Sequence, residues 1–380
     1  MFNFYEFFAG GGMARAGLGE SWSCLFANDF DHKKSATYRA NWGDKEIKTC
    51  DIRTLSTKDL PGSADAVWAS FPCQDLSLAG GGAGLEGERS GTFWPFWKLM
   101  RSLMRDGRSP SIIVLENVCG TLNSHDGKDF AAICSAFHSA GYRFGALVVD
   151  AALFVPHSRP RLFIVGVHEQ VPICSDLELD QPILPWHSRT LQKSHSQLPA
   201  KVKKSWVWWN LPVPKKANKH FSDIIEETPT SVSWHTQEET KTLLEKMSSV
   251  NLEKIKAAKK SGKRMVGTIY KRTRTNEKGE KVQRAEVRFD NIAGCLRTPA
   301  GGSSRQVIIV VDGNKVRSRL ISTRETARLM GLPESYKLPE NYNEAYHLTG
   351  DGVVVPVVRH LSANIIGPLL SNINFVKKVA

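Results

Sequence analysis

Short apolar runs alternate with amphipathic segments over the first 168 residues of the chain. The runs are bounded by Gly, Pro or Asp and predict buried β-strands at residues 2–8, 24–27, 64–71, 111–118, 144–151 and 161–167. Helical periodicity lies between them, at residues 31–41, 94–106 and 128–140. Such alternation predicts an α/β fold whose mostly parallel sheet is covered on both faces. Ligands bind these sheets beyond the carboxyl ends of the strands.

The pattern changes at about residue 169, where prolines interrupt every long period and lysines and tryptophans recur. We therefore expect a first domain at 1–168 and a second, smaller and irregular basic domain at 169–316. A third segment, 317–380, regains a helical pattern at 323–332 and contains an apolar run at 352–358.

The positive charge of the chain is concentrated in one segment. The 380 residues carry a net charge of +13. Residues 201–320 hold 26 Lys and Arg against 12 Asp and Glu, whereas the rest holds 25 against 26. A localised basic surface is typical of nucleic-acid binders, and a solvated basic face is the alternative.

We expect no membrane span, because no run of 18 apolar residues occurs. The seven cysteines are odd in number and include no C-x-x-C pair, which indicates a reducing cytoplasm and neither disulfides nor a metal site.

A glycine-rich turn follows the first predicted strand. The segment FFAGGGMARAGLG (7–19) opens a helix, and its glycines allow a tight turn and a close approach to a ligand. Asp29 ends the second strand about twenty residues later, where a carboxylate binds ribose hydroxyls, and Asp51 ends a third. Each acid taken alone is more typical of a cap or turn carboxylate, whereas the ordered set with the glycine-rich turn favours cofactor binding.

Candidate catalytic groups follow at the ends of later strands. Cys73 comes after Pro72 and precedes a glycine-rich segment, 74–92, so it is a candidate nucleophile. A buried, inert thiol is the alternative. Glu116 ends an apolar strand, and Arg159 and Arg161 precede another. Either Glu116 and the two arginines converge with Cys73 on one pocket, or Glu116 and the arginines form a structural ion pair.

In this order the motifs resemble those of the cytosine-5 DNA methyltransferases of bacterial restriction–modification systems. Phe8, Gly10 and Gly12 match the F-x-G-x-G turn, and Asp29 and Asp51 match the two cofactor-binding acids. Pro72-Cys73-Gln74 matches P-C-Q, and Glu116-Asn117-Val118 matches E-N-V. The segment 157–161 is similar to Q-x-R-x-R, 322–333 to the R-E-x-A-R-x-x-G-x-P helix, and 348–362 to the last G-N-x-V-P-V motif. Three positions depart from these patterns: Ser70 replaces Gly, His157 replaces Gln, and Asp351 replaces Asn, with the following Val-Pro shifted by one residue.

The resemblance implies a Rossmann-like class I methyltransferase domain that uses S-adenosylmethionine. The cofactor residues it implies are Phe8, Gly10, Gly12, Asp29, Asp51, Ile52, Pro72 and Asp351. Cys73 would attack cytosine, Glu116 would hold or protonate ring nitrogen 3, Arg161 would bind the exocyclic oxygen, and Arg159 would brace the Cys73 loop. The cytosine would be flipped out of the duplex.

The second domain takes the place of the family's target recognition domain, and 317–380 returns to the catalytic domain. The candidate DNA-contacting residues are Gln74, Ser77, Arg89, Arg264, Arg272, Arg274, Arg284, Arg288 and Arg305, those at 264–288 lying in a stretch that reads as hairpins. The segment CLRTPAGGSSRQ (295–306) resembles the turn that ends this domain, with Cys295 in place of Thr. The resemblance further implies double-stranded DNA as partner, a cognate restriction endonuclease, a monomer, and a cytoplasmic, nucleoid-associated location.

Three alternatives remain open. An RNA cytosine methyltransferase would use the same scaffold, but the C-F-T signature of its tRNA-directed members is absent. A non-catalytic DNA-binding regulator would not require Cys73, Glu116 and Arg161. A dinucleotide-dependent oxidoreductase would need the full G-x-G-x-x-G spacing and would leave P-C-Q unexplained.

Overall fold

The computed structural model describes residues 1–72, 90–215, 219–275, 279–297 and 305–372. The described strands are β1 Phe2–Phe7, β2 Trp22–Asp29, β3 Ile47–Thr49, β4 Ala66–Ala69, β5 Ile112–Val118, β6 Tyr142–Asp150, β7 Pro160–His168, β8 Glu178–Leu179, β9 Trp208–Trp209, β10 Met265–Thr275, β11 Lys281–Arg288, β12 Val307–Asp312 and β13 Lys315–Leu320. The described α-helices are α1 Met13–Leu18, α2 His32–Trp42, α3 Phe93–Arg105, α4 Lys128–Ser139, α5 Arg189–Ser196, α6 Ala200–Lys203, α7 Gln237–Glu245, α8 Ser249–Lys260, α9 Thr323–Leu329, α10 Tyr342–Asp351 and α11 Val355–Leu361.

The chain forms two compact units. The first contains Met1–Asp150, Pro160–Lys215 and the chain from Val353 onward, and the second contains Ala151–Arg159 and Lys216–Gly352. These units are defined by packing, whereas the sequence pattern predicts the ranges 1–168, 169–316 and 317–380. That division into functional domains remains a prediction.

The first unit is built on a sheet whose seven described strands run in the order β3-β2-β1-β4-β5-β7-β6. Neighbours from β3 to β5 pair in parallel, and β7 lies antiparallel between β5 and β6. The α/β fold with a mostly parallel sheet is thus confirmed. The register aligns Phe7 with Asn28 and Ala69 with Leu115, so the carboxyl ends of five parallel strands meet at one edge.

Two of the predicted helices of this unit form on different local signals, an apolar stripe in α3 and a side-chain cap in α2. In α3 the buried residues Phe96, Leu99, Met100 and Leu103 recur every three or four positions and join the core. The α2 helix starts at Asp31, whose carboxylate accepts hydrogen bonds from the amides of the first turn.

The C-terminal part of the chain packs on the first helix. The apolar run at 352–358 contributes α11, which packs against α1. A Cβ at Gly17 would lie 2.4 Å from Cβ of Val358, so only glycine allows the two helices to approach this closely. The C-terminal segment thereby contacts the helix that follows the glycine-rich turn.

Residues 169–215 pack on edge strand β6 of the first unit. Phe144 pairs with Trp206 in a parallel bridge, and Nε1 of Trp209 donates a hydrogen bond to the carbonyl of Val165. Trp186 and Trp209 are fully buried. These tryptophans therefore belong to the core of the first unit.

The second unit is more regular than its sequence pattern indicated. Its four described strands form an antiparallel sheet in the order β11-β10-β12-β13. The hairpin pairing expected around residues 264–288 is present between β10 and β11. Leu243 of α7, Ile255 of α8 and Met247 between the two helices are buried against one face of the sheet. The other face of the β10–β11 pair carries Arg272, Arg274, Arg284 and Arg288.

Within the described part of the chain, the segment Tyr342–Asn372 is long and apolar enough to cross a membrane by length and composition alone. However, 61% of its most apolar window is buried inside the protein, and residues 352–354 interrupt its helices. These properties are those of a core segment.

Candidate active site

The glycine-rich turn is tied to the end of β2 by Asp29. One carboxylate oxygen accepts a hydrogen bond from the amide of Gly10 (2.7 Å), and the other accepts one from the amide of Asp31 (2.8 Å). Gly10 has a φ of 55°, and a Cβ built on it would have no neighbour within 4 Å. Burial raises the pKa of Asp29, against the effect of Lys34 and of the two amides. The turn is therefore held in place while its outer side stays open.

Asp51 caps a short 3-10 turn. Its carboxylate accepts a hydrogen bond from the amide of Arg53 (2.8 Å), and the Arg53 guanidinium lies 3.2 Å away. The capping interpretation of Asp51 is thus observed, and its contact with a cofactor remains a prediction. Ile52, in the same turn, is buried.

Phe30 is a further candidate site residue, which the sequence pattern did not indicate. It lies between Asp29 and the helix cap Asp31 at the carboxyl end of β2, and its side chain is 71% exposed. An exposed aromatic ring beside a buried carboxylate provides a stacking surface for a planar group. The only sequence signal is the aromatic residue directly after the acid that ends the strand, and no periodicity shows that its ring faces solvent.

Glu116 and Arg161 meet at the same edge of the sheet. The antiparallel register of β5 and β7 pairs Val118 with Arg161, and Glu116 Oε1 lies 3.3 Å from Arg161 Nε. Both side chains are largely buried, with 7% and 15% of their surface exposed. The ion pair considered as an alternative is therefore present, and it lies where ligands bind such sheets.

Asn117 anchors the chain that leads to Cys73. Its Nδ2 donates to the carbonyl of Phe71 (3.2 Å), while its Oδ1 accepts from the amide of Val118 (2.8 Å). This side chain fixes the backbone two residues before Cys73. Pro72 is the last residue described before a gap, and the predicted residues Cys73, Gln74, Ser77 and Arg89 lie outside the described part of the chain.

Three thiols in the first unit, those of Cys24, Cys119 and Cys134, are unsuited to nucleophilic chemistry. Burial raises the pKa of Cys119, next to the E-N-V motif, to about 11, although Arg161 acts in the opposite direction. Burial raises the pKa of Cys24 to about 12 and that of Cys134 well above its ordinary value. Because the thiolate is the reactive form, these three cysteines are expected to be inert.

Arg159 is buried in the second unit, where it binds backbone carbonyls. Its guanidinium donates to the carbonyls of Leu296 (3.1 Å), Gly350 (2.7 Å) and Gly352 (2.8 Å). Asp351, the predicted cofactor residue, is exposed at the end of α10 between two of these carbonyls. Arg159 therefore braces the segments around residues 296 and 351, and its expected contact with the Cys73 loop involves residues that the structure does not describe.

His157 makes two buried hydrogen bonds in place of the family's glutamine. Its Nε2 accepts from the amide of Leu296 (3.2 Å), so its Nδ1 donates to the carbonyl of Leu329 (3.2 Å). Glutamine likewise offers one acceptor and one donor. The substitution thus preserves the local bonding pattern.

The predicted DNA-contacting arginines of the second unit lie mostly in ion pairs. Arg272 and Arg274 contact Glu286, Arg288 pairs with Asp290, and Arg264 pairs with Glu227. Arg305 contacts Asn343 and lies over the ring of Tyr342. Arg284 is exposed on β11 opposite Arg272. The structure places these groups but does not test their contact with DNA.

Comparisons with known proteins agree with the motifs. A family model described as C-5 cytosine-specific DNA methylase matches residues 2–367. The Type II methyltransferase M.HpaII of Haemophilus parainfluenzae is 26% identical over 97% of this chain and 90% of its own length. The Type II methyltransferase M.Bsp6I of Bacillus sp. (strain RFL6) is 25% identical over 97% of this chain and its whole length. The crystal structure of the S. pombe Dnmt2 methyltransferase has a similar fold, with a TM-score of 0.61 at 17% identity over 98% of this chain and 100% of that one.

Proposed function

Because the chain belongs to the C-5 cytosine-specific DNA methylase family, we propose that it transfers a methyl group from S-adenosylmethionine to carbon 5 of a flipped-out cytosine in a specific sequence of duplex DNA. The observation that carries this proposal is the buried pair of Glu116 and Arg161 at the carboxyl edge of the sheet. Asn117, on the same strand as Glu116, binds the carbonyl of Phe71, two residues before Cys73.

The first three strands provide the cofactor site in this proposal. The open turn at Gly10 suits the methionine part, and Asp29, Asp51 and Ile52 lie where a nucleoside would bind. We add Phe30 as a stacking surface for the adenine, because its ring is exposed beside Asp29. When bound, S-adenosylmethionine supplies a methyl group on a positively charged sulfur, which a carbon nucleophile can accept.

Cys73 provides the nucleophile. Carbon 5 of cytosine is a poor nucleophile until the Cys73 sulfur bonds to carbon 6 and the ring becomes an enamine. Burial raises the pKa values of Cys24, Cys119 and Cys134, which makes these three thiols poor nucleophiles, and the match of Pro72-Cys73-Gln74 to P-C-Q supports Cys73. After methylation a base removes the carbon 5 proton, and the Cys73 sulfur departs with the electrons of its bond to carbon 6.

Glu116 and Arg161 stabilise the reacting ring. Glu116 holds or protonates ring nitrogen 3, which withdraws electrons from carbon 6 and eases the attack. Arg161 binds the exocyclic oxygen and stabilises its negative charge. Their ion pair orients both groups before the base enters. Most of the segment 74–92 lies outside the described residues, and Arg159 braces the segments around residues 296 and 351.

The second unit recognises DNA. Its candidate contacts are the arginines of β10 and β11, which lie on one exposed face, together with Arg264 and Arg305. Phosphate contacts of this kind weaken steeply as salt is added. We also propose that the protein acts as a cytoplasmic, nucleoid-associated monomer and has a cognate restriction endonuclease, as expected of relatives named Type II methyltransferases.

The deciding experiment incubates the purified protein with mixed-sequence duplex DNA and labelled S-adenosylmethionine, beside the variant Cys73→Ala. Label is expected in cytosine with the original protein only, and bisulfite sequencing of the product gives the recognition sequence. Cys24→Ala, which removes a buried thiol remote from the reaction, is the matched control and should retain activity. Cofactor binding without labelling of DNA would refute the proposal, and labelling of RNA instead would favour the RNA alternative.

A further inference from the structure

Four arginines share one face of the β10–β11 ribbon. The antiparallel register places Thr268 opposite Arg288, Tyr270 opposite Glu286, and Arg272 opposite Arg284. Because side chains alternate between the faces of a strand, Arg272, Arg274, Arg284 and Arg288 all lie on the face that carries Tyr270. The other face contributes Ile269, Ala285 and Val287 to the core. The arginines of the ribbon therefore all lie on one face, whereas Lys271 and Lys281 lie on the other.

The charges on this face are not arranged for the stability of the free protein. Like charges directly opposite on neighbouring strands are destabilising, and Arg272 and Arg284 are such a pair. No carboxylate of the described residues forms an ion pair with Arg284. An arginine pair of this kind gains a partner when an anion binds between the two side chains.

Glu286 is the carboxylate on this face of the described ribbon, and it contacts two of the arginines. Its Oε1 accepts a hydrogen bond from Arg274 Nε (2.8 Å), and its Oε2 lies 3.4 Å from Arg272 Nε. Glu286 and both arginines remain partly exposed, at 31%, 49% and 51% of the side chain. An open cleft of about 540 Å³, lined by Arg274, Arg284 and Glu286 on this side, gives a phosphate group room to approach.

We propose that Glu286 is an internal competitor for the phosphates of the DNA backbone. In the free protein it occupies Arg272 and Arg274, so a phosphate must displace or share this carboxylate and is also repelled by it. The consequence is a lower affinity for duplex DNA of any sequence. Electrostatic contacts supply essentially all of the binding to non-target DNA, so Glu286 shortens the time that the protein spends on DNA without its target. This inference rests on the proposed DNA-methylating function.

The test compares the original protein with Glu286→Gln, which keeps the shape of the side chain and removes its charge. The probe is an alternating A·T duplex, which contains no cytosine and hence no target site. We expect the variant to bind about three-fold more tightly at low salt, the effect of one exposed ion pair. The slope of log affinity against log salt should become more negative by about one, the effect of one added phosphate contact.

Glu253→Gln is the matched control, because it makes the same charge change in the same unit at an exposed carboxylate whose partner is Lys256. A gain for Glu286→Gln no larger than that of the control would overturn the proposal. Weaker binding would overturn it too, since Glu286 would then contribute a favourable contact. Glu286→Ala serves as a second variant, and thermal unfolding verifies that each protein is folded.

The outcome is separable from the proposed function. Methylation of a cytosine-containing duplex by the original protein tests the enzyme, whereas binding to the A·T duplex tests Glu286. Normal methylation with no effect of Glu286→Gln would refute this inference alone. A clear effect of Glu286→Gln without any methylation would refute the proposed activity and leave Glu286 as a regulator of DNA binding.

Discussion

Glu116 Oε1 lies 3.3 Å from Nε of Arg161, and both side chains are largely buried at the carboxyl edge of the sheet. Removing one partner of a buried ion pair leaves an uncompensated charge. Each of the two side chains therefore holds the other in position. In the proposed mechanism a cytosine ring binds beside both groups, which makes their joint orientation part of the chemistry.

Glu116→Gln tests the role of this carboxyl group. The amide keeps a hydrogen-bond acceptor for Arg161 but cannot protonate ring nitrogen 3, so we expect the methylation rate to fall by about 10²- to 10⁴-fold, the usual contribution of a general acid. Single-turnover transfer of labelled methyl groups measures this. Glu178→Gln removes a carboxylate of β8 that pairs with Arg143 at the start of β6. This change should leave the rate unchanged. An equal effect of both variants would contradict the assignment.

Asn117 is predicted to act as a positioning residue. Asn117→Asp keeps the size of the side chain but removes the donor to the carbonyl of Phe71, which frees the backbone ahead of Cys73. We expect kcat to fall by about 10²-fold, as small misplacements of reacting groups do, while KM for S-adenosylmethionine stays unchanged. Steady-state kinetics separates the two constants. Thr121→Val, which removes only a 3.4 Å contact to Asn117, is the control, and a rise in KM without loss of kcat would rule out this role.

The sheet and its functional edge were predictable because their signals are local. The runs at 2–8 and 111–118 and the periodicity at 94–106 indicate buried strands and an amphipathic helix without knowledge of any contact. Since parallel strands share one carboxyl edge, the placement of Asp29 and Glu116 at that edge followed from the order of the elements. Arg161 reaches the same edge only because β7 runs antiparallel to β5, which the sequence pattern does not show.

The remaining features depend on contacts between distant residues. Asn117 contacts Phe71 from 46 positions away, and the pairing of Arg274 with Glu286 depends on the register of two strands. Residues 169–215 look like part of a separate basic domain because prolines and lysines dominate their surface. Their tryptophans pack on β6 and β7 instead. A local sequence pattern indicates that a side chain is buried, but it does not indicate which element the side chain packs against.

His157 is predicted to be replaceable by the residue that its family prefers. Nε2 of His157 accepts from Leu296 and Nδ1 donates to Leu329, and the side chain is fully buried. His157→Gln retains an acceptor and a donor, so we expect a loss of less than about 1 kcal/mol in the free energy of unfolding. His157→Leu leaves a buried amide and a buried carbonyl without these partners, at about 1–3 kcal/mol each. Urea unfolding measures both, and equal losses would show that the hydrogen bonds contribute nothing.

Glu6, at the end of β1, should make the stability of the protein depend on pH. Its side chain is 1% exposed, and no hydrogen-bond partner of Oε2 is found in the described residues. Burial raises its pKa to about 8 from an ordinary value of 4.5. Because the folded protein keeps this proton while the unfolded chain loses it, stability should fall as pH rises from about 4.5 to 8, by up to about 1.4 kcal/mol per pH unit.

Glu6→Gln is neutral throughout, so urea unfolding at several pH values should show a flatter profile for the variant. Asp59→Asn is the control, since the pKa of Asp59 is lowered to about 2 by Lys48 and the Ser56 amide, below this range. Parallel profiles for Glu6→Gln and the original protein would mean that Glu6 is ionised in the folded state.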